Sequence, residues 1–287
     1  MPSPARSFKT IGSATPRTAL GLAAALALAG CISHQTASSP RDRSLDEGQV
    51  AVIGPRVSER SLAAIDVLNP RGSIRVIVDN ELRNAEVRAS VRRNGRSERD
   101  VASLNEQLKY SAVSSIVGGR VKLTVRPTSV PIGEFIDVEI RVPSAASVYA
   151  RNAGGLTELV GVSGEINVQS GSDRLLGGDV LVRTEQPVPG PVRIATSDGS
   201  VRMFLGPAAS GDLDLTTSDG SVGVVSMASP VRDARPDPLR YTGVLGSGEN
   251  EFFVTTRRGD IRINIGDANW EQGTNFDWLQ NPIYGMP

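Results

Sequence analysis

A six-residue motif, Thr-Ser-Asp-Gly-Ser-Val, occurs twice in this chain, at residues 196–201 and 217–222, with a looser echo at residues 255–263. In all three copies, apolar and polar residues alternate in the same phase on both sides of the turn, which predicts a strand, a tight turn and a second strand. The alignment places in register Ile194 with Leu215 and Val254, Val201 with Val222 and Ile261, and Met203 with Val224 and Ile263. A unit this short cannot bury its own apolar face. Stacked copies can, because like residues then lie about 4.8 Å apart and form a shared core.

Alternation of apolar and polar residues continues through most of the chain after the first sixty residues. It is clear at residues 74–78, 121–125 and 136–140, and it predicts strands with one buried face. Shorter alternating stretches lie at residues 166–168, 180–182, 192–194, 201–203 and 213–215. Residues 97–107 favour a short helix, with Ser97 as its N-cap. We therefore predict an all-β fold with one short helix.

Glycines punctuate the alternating stretches, and several are followed by a small polar residue and then by a β-branched residue or leucine. These corner glycines are Gly72, Gly164, Gly178, Gly211 and Gly259. Because glycine adopts positive φ without steric cost, we predict a left-handed backbone at these corners. Residues 227–241 carry several prolines and charges, so we expect an insertion there rather than a strand.

Two architectures fit this pattern. The fixed step of the repeat favours a β-solenoid-like stack of short strand-turn-strand repeats, in which each turn is a corner between successive strands. Ser-Asp-Gly-Ser between alternating stretches is also a strong hairpin signal, which would produce an antiparallel β-sandwich or roll. The stack is the preferred interpretation, and it makes Asp198 and Asp219 close neighbours. Such a pair could bind calcium, but the ligand spacing of calcium-binding β-rolls is missing, so turn chemistry is favoured and no metal site is predicted.

The first thirty residues have the features of an export signal. A positively charged region precedes a run rich in Ala and Leu at residues 19–29, which is too short for a permanent membrane span. The run ends in Leu-Ala-Gly-Cys at residues 28–31, which resembles the lipobox of bacterial lipoproteins. The resemblance implies cleavage before Cys31 and lipid attachment to it, so that the lipid binds a membrane of the cell envelope. Ile32 in the next position favours the outer membrane.

The remaining boundaries follow from composition. We divide the chain into a signal peptide at residues 1–30, a flexible tether at 31–60, a β-repeat head at 61–266 and an aromatic C-terminal cap or tail at 267–287.

Charge and residue counts exclude several functional classes. The formal net charge is zero and the pI is about 6.6, so the chain has no global positive field that would attract nucleic acid, and no nucleic-acid partner is predicted. The single histidine, His34, lies in the predicted tether, and the single cysteine is the predicted lipidation site. The head therefore cannot assemble a Ser-His-Asp triad, a Cys-His pair or a His/Cys zinc site. We predict no catalytic residues, no cofactor and no enzymatic activity.

Three short sequence features follow one another along the predicted head. They are Gly72-Ser73-Ile74, the sequence VEIRVP at residues 138–143, and recurring Gly-Asp or Gly-Ser units that precede Val or Ile. Together they resemble the bacterial putative-adhesin family, a β-strand-repeat domain of unknown function, over about residues 62–266. The resemblance implies a repetitive β-fold exported to the cell envelope, and it supplies no catalytic residues.

Four residues are candidates for ligand binding. Arg193 and Arg202 occupy the outward phase of their strands and could bind acidic glycans, although nearby Asp residues could equally balance them as a solvated face. Trp270 and Trp278 lie among the aromatic residues of the last twenty positions. They could stack on sugar rings or cover the open end of the stack, and covering is the favoured interpretation.

The leading functional hypothesis is a non-enzymatic, lipid-anchored envelope protein. Its adhesin-like head would bind an envelope protein or a glycan, or would serve as a scaffold. A polysaccharide-binding or polysaccharide-cleaving β-helix protein is the alternative. An assembly accessory that acts through protein contacts alone is a third class.

Overall fold

The computed structural model describes residues 49–53, 63–92, 96–117, 120–171 and 176–266, with the backbone alone for residues 49–53 and 63. Strands dominate these residues, so the predicted all-β class is confirmed. The helix α1 (Glu98–Gln107) begins after Ser97, whose side-chain oxygen accepts a hydrogen bond from Asp100 N, as predicted. None of the described residues belongs to a helix long and apolar enough to span a membrane.

The strands form two mixed sheets. The nine-stranded sheet contains, from edge to edge, β1 (Gln49–Ile53), β4 (Ala85–Val91), β7 (Ile136–Val142), β3 (Gly72–Val78), β9 (Thr157–Val160), β11 (Val180–Thr184), β13 (Val201–Leu205), β19 (Ile261–Ile265) and β15 (Val222–Ser226). Its first two pairs are antiparallel and all the others are parallel. Strand β1 falls within the range predicted as tether.

The ten-stranded sheet follows the same plan. From edge to edge it contains β16 (Val231–Pro236), β17 (Arg240–Leu245), β14 (Gly211–Asp219), β18 (Glu251–Arg258), β12 (Val192–Thr196), β10 (Glu165–Ser170), β8 (Ala145–Asn152), β2 (Ala63–Asn69), β6 (Arg120–Ser129) and β5 (Lys109–Val117). Its central pairs are parallel, and the pairs at both ends are antiparallel.

The inner faces of the two sheets pack around one apolar core. In β12, Val192 and Ile194 are buried while Arg193 between them is exposed, and in β13 Val201 and Met203 are buried in the same alternation. Two packed layers agree with the β-sandwich alternative. The parallel pairs arise because a strand of the ten-stranded sheet is repeatedly followed in the chain by a strand of the nine-stranded sheet, as β12 is by β13.

The register inferred from the repeated motif is confirmed in both sheets. Val254 pairs with Ile194 on one side and with Leu215 on the other. In the nine-stranded sheet, Ile263 pairs with Met203 and with Val224. A one-residue slip would turn every apolar side chain outward, so the buried face fixes this register.

The order of strands in each sheet differs from their order in the chain. Strands β18 and β19 lie between the strands that carry the two motif copies. The prediction that Asp198 and Asp219 are close neighbours is therefore wrong. Gly199 N donates to Arg258 O and Gly259 N donates to Asp219 O, which places Arg258 between the two aspartates. Arg258 Nη2 lies 2.8 Å from Asp198 Oδ2 and balances its charge.

Glycines of successive strands lie against one another where the chain passes from the ten-stranded to the nine-stranded sheet. This glycine column consists of Gly72, Gly155, Gly178, Gly199, Gly259 and Gly220. A Cβ added at Gly178 would lie 1.8 Å from Gly155 O, although the φ of Gly178 is not positive. Close backbone approach, rather than a left-handed backbone, requires glycine there, so the predicted positive φ is wrong. It is wrong at Gly211 too, where an added Cβ would lie 2.5 Å from the Phe252 ring.

Buried polar residues end the strands of the ten-stranded sheet beside the glycine column. This polar ladder consists, in register, of Asn69, Asn152, Ser170, Thr196, Thr256 and Thr217. Thr196 Oγ1 donates to Gly178 O at 3.1 Å, and Thr256 Oγ1 donates to Gly199 O at 2.9 Å. The ladder therefore supplies hydrogen-bond donors to carbonyl oxygens of the glycine column.

After the last four glycines of the column, Gly178, Gly199, Gly259 and Gly220, the next residues alternate between Asp and Ser along the sheet. In register they are Asp179, Ser200, Asp260 and Ser221. Ser200 N donates to Asp179 Oδ1 at 2.7 Å, and Ser221 N donates to Asp260 Oδ1 at 2.8 Å. Two aspartates on adjacent strands would lie about 4.8 Å apart and repel. The Gly-Ser motif and its Gly-Asp echo are thus two halves of one hydrogen-bonding pattern.

Residues 227–241 include a strand, so the prediction of an insertion without one is wrong. Strand β16 lies within this range, is exposed over most of its length and pairs, among the described strands, only with β17. An outermost strand tolerates charge and proline because one of its edges needs no backbone partner.

Candidate functional site

The outer face of the ten-stranded sheet carries four side chains in register on neighbouring strands. Tyr149 of β8 pairs with Asn167 of β10, Asn167 pairs with Arg193 of β12, and Arg193 pairs with Phe253 of β18. These four residues are called the Tyr149–Phe253 row, and they span three strand spacings, or about 14 Å. Phe252, directly before Phe253, is fully buried, as strand alternation requires.

Both aromatic side chains of the row are open to solvent. Tyr149 is 39% exposed and Phe253 is 45% exposed, whereas most large apolar side chains of the central strands are fully buried. Between the two rings lie the amide of Asn167 and the guanidinium of Arg193. The row therefore combines flat apolar surfaces with hydrogen-bond donors and acceptors, which suits a ligand that has apolar and polar faces, such as a sugar chain.

Two glutamates contact the polar groups of Tyr149 and Arg193. The Tyr149 hydroxyl donates to Glu165 Oε1 at 2.7 Å, and this hydrogen bond, together with smaller effects of burial and of the Glu165 charge, raises the pKa of Tyr149. Arg193 Nη2 lies 2.6 Å from Glu251 Oε2, and both side chains are about half exposed or more. An ion pair this exposed contributes little to stability. A charged group of a ligand can therefore displace Glu251 from Arg193, or Arg193 from Glu251, with little loss of folding free energy.

A cluster of cations surrounds one carboxylate beside the row. Asp66 of β2 pairs with Tyr149 on the next strand. The cations around Asp66 are Lys122 at 3.2 Å, Arg126 in hydrogen-bond contact and Arg151 at 3.9 Å. Burial is the largest single influence on Asp66 and raises its pKa, but the hydrogen bonds and charges of Arg126 and Lys122 together hold that pKa below its usual value. Three cations around one carboxylate leave net positive charge next to Tyr149.

The two arginines predicted as ligand-binding residues lie in different sheets. Arg193 belongs to the row, whereas Arg202 lies in β13 of the nine-stranded sheet, in register with Arg262. Because the sheets pack through their inner faces, outward side chains of the two sheets project on opposite sides, so the two arginines do not form one site. On the face of Arg202 charges are balanced in places, since Arg75 Nε lies 2.9 Å from Glu158 Oε2.

The other predicted site residues, Cys31, Trp270 and Trp278, lie outside the described residues. Lipidation and ligand binding by the tail therefore stay predictions. Within the described ranges, no group of three or more His, Cys, Asp or Glu side chains could hold a metal ion.

Sequence reasoning missed Tyr149 and Phe253. Strand alternation could have found the outward position of each, because Phe252 shares the buried phase of Val254, and Phe253 does not. The row itself was not predictable by this route. It depends on β18 pairing with β12, and these strands are far apart in the chain.

No model of a known protein family matches this chain. A search of curated proteins likewise finds no match. Solved structures do match. A "putative cell adhesion protein" from Clostridium sporogenes is 11% identical, and the match covers 78% of this chain and 100% of that one with a TM-score of 0.42.

Two matching structures come from Parabacteroides distasonis. A "putative adhesin" is 12% identical, with 76% of this chain and 98% of that chain covered and a TM-score of 0.24. A "putative lipid binding protein" is 11% identical, with 77% and 96% covered and a TM-score of 0.27. The putative-adhesin resemblance thus has a counterpart in the names of matching structures. At these identities and TM-scores the similarities assign no function, so the residues of this chain must carry that argument.

Proposed function

We propose that this chain is a non-enzymatic cell-envelope protein, anchored by lipid at Cys31, whose adhesin-like β head binds or scaffolds a partner through the Tyr149–Phe253 row. The anchor is supported by the Leu-Ala-Gly-Cys sequence at residues 28–31. The binding function is supported by the two exposed rings of the row.

The row is the observation that carries this proposal, because the fold does not need it. The apolar core lies on the opposite face of the same strands, where Ile194 is 1% exposed and Phe252 is fully buried. Single exposed apolar side chains are common on protein surfaces, but here two exposed rings flank an amide and a guanidinium in one row. Aromatic and arginine side chains are also the types that dominate binding energy at interfaces. The row therefore has the composition of a contact surface.

A polysaccharide is a second candidate partner, and the chemistry of the row favours it. Tyr149 and Phe253 offer faces on which sugar rings can stack, and Asn167 and Arg193 offer hydrogen bonds between them. The side chain of Arg151 is about half exposed beside Tyr149, where it could bind an acidic group of the polysaccharide.

We interpret the head as a β-solenoid-like stack in which the order of the last strands in each sheet differs from their order in the chain. The support is the run of parallel pairs with one shared register in each sheet. Such a stack keeps side chains of neighbouring strands about 4.8 Å apart, which produces long straight rows suited to extended partners.

The anchor is tested by mass spectrometry of the mature N-terminus. We expect a chain that begins at Cys31 and carries acyl groups, and a Cys31→Ala chain that is no longer processed. A mature chain with an unmodified Cys31 would contradict the anchor. Protease treatment of intact cells, followed by detection of the head, then reports which side of the envelope it faces.

The binding surface is tested on a panel of neutral and acidic envelope polysaccharides and of membrane extracts. Phe253→Ser should weaken retention about tenfold, as expected for loss of an aromatic contact. The matched control is Phe204→Ser, which changes the same residue type on the outer face of the nine-stranded sheet. Equal retention of the two variants would contradict the row as the site. Release of shortened glycan products would contradict the non-enzymatic assignment.

A further inference from the structure

One edge of the nine-stranded sheet lacks a neighbour among the described strands. Strand β15 pairs with β19 on one side, and no described strand pairs with its other side. It is a short strand, Val222–Ser226, whose outer edge has one backbone hydrogen bond, from Val222 N to Pro238 O, and the edge beyond Val222 can pair with further chain. The ten-stranded sheet differs at the same end, because β17 and β16 extend it beyond β14.

Apolar side chains are exposed along this edge. Val225 is 44% exposed and Met227, directly after the strand, is 81% exposed. The two are called the β15 patch. Leu239, which is 43% exposed, lies near the beginning of the same strand, where Val222 N donates to Pro238 O at 3.2 Å. A strand edge that is open beyond Val222 and flanked by exposed apolar groups indicates a surface that another segment covers.

The C-terminal segment leaves the described structure beside this patch. Met227 N donates to Ile265 O at 2.8 Å, and a Cβ added at Gly266 would lie 3.4 Å from Met227 Cβ. The described part of the chain therefore ends, at Gly266, within one strand spacing of β15. Twenty-one residues can extend about 70 Å, several times the length of a five-residue strand.

The composition of that segment matches the patch. Residues 267–287 contain both tryptophans of the chain, together with Phe276, Ile283 and Tyr284. Tryptophan buries a large area and makes favourable contacts with methionine sulfur. Its indole N–H can also donate to a free carbonyl of an edge strand.

We propose that residues 267–287 dock on the β15 edge of the same molecule and cover Val225 and Met227 with their aromatic side chains. The proposal is independent of the binding function of the row, because the row lies on the other sheet.

Tryptophan fluorescence of the full chain tests this directly, since Trp270 and Trp278 are the only tryptophans. In the native chain, we expect emission at shorter wavelength than in the urea-unfolded chain, and protection from acrylamide quenching. The double change Val225→Asp, Met227→Asp should move the emission to longer wavelength and remove the protection. Ile116→Asp is the matched control, because Ile116 is exposed on β5, an edge of the other sheet, and we expect no change there.

Three outcomes would overturn the proposal. Native emission equal to that of the unfolded chain would show an undocked tail. Unchanged emission in the double variant would place the docking elsewhere. Emission that shifts on dilution, in step with dissociation measured by sedimentation, would assign the edge to a second copy. As a second measurement, a chain that ends at Gly266 should unfold about 5 °C or more below the full chain, and an equal melting temperature would contradict a docked tail.

Discussion

Two columns of residues in this protein are built in opposite ways, and the polar ladder of the first crosses the same strands, β8, β10, β12 and β18, as the second. The first column lies at the corner between the sheets, where every member of the glycine column is glycine and every member of its polar ladder is a buried Asn, Ser or Thr. The Tyr149–Phe253 row crosses the middle of the ten-stranded sheet, where every strand contributes a different type. Both columns have the same spacing between strands, so the difference comes from what each residue meets at its own position, which is backbone at the corner and solvent at the row.

The difference separates residues that the fold requires from residues that it tolerates. At the corner, the backbones of neighbouring strands lie so close together that an added Cβ atom would overlap backbone atoms of the next strand, and only glycine fits. The hydroxyls beside it donate to carbonyl oxygens at the same corner. The outer row meets solvent, where the fold accepts many side chains. Its aromatic and arginine composition therefore points to a role outside folding.

The largest expected effect is at the corner. Gly178→Ala should destabilise the protein by about 3 kcal/mol or more, because the new methyl group would overlap the carbonyl of Gly155. Denaturant unfolding measures it. Gly223→Ala is the control, since an added Cβ there meets only the end of the Arg262 side chain, which can move. A Gly178→Ala variant as stable as the control would break the distinction between the columns.

A smaller effect is expected for the polar ladder. Thr256→Val keeps the shape of the side chain and removes the donor to Gly199 O, so we expect a loss of about 1–2 kcal/mol of unfolding free energy. Thr255→Val, one residue earlier, changes a side chain on the outer face and should alter stability by less than about 0.5 kcal/mol. Equal effects of the two changes would mean that the ladder does not stabilise the corner.

The smallest effect concerns the charges beside the row. The cations around Asp66 hold its pKa in the folded state below the unfolded value of about 3.9, so its carboxylate stabilises the fold above that pH. That contribution is lost as the pH falls through the folded pKa. The difference in unfolding free energy between the native chain and Asp66→Asn should therefore be constant at neutral pH and shrink below about pH 4. A difference that grows on acidification would mean that burial outweighs the cations.

The sequence was sufficient to predict local structure where one physical rule dominates. Alternation fixed the buried phase of the strands, and the repeated motif fixed the register of Val254 with both Ile194 and Leu215. Ser97 was recognisable as an N-cap because its oxygen can accept a backbone hydrogen bond of the first turn.

Other features depend on long-range pairing that composition does not encode. The insertion of β18 between β12 and β14 separates Asp198 from Asp219 and creates the neighbours of Phe253. Gly178 was identified as a corner residue, but the reason was wrong, because packing between strands rather than local turn geometry demands glycine. A charged stretch such as β16 became a strand because it lies at an edge.

The central claim is that the row binds a partner and does not support the fold. It is tested most directly by measuring unfolding free energy and partner retention on the same preparation of the double variant Tyr149→Ser, Phe253→Ser. We expect retention to fall more than about tenfold, while the unfolding free energy stays within about 1 kcal/mol of the native value. Retention that is unchanged, or that falls only together with stability, would contradict the claim.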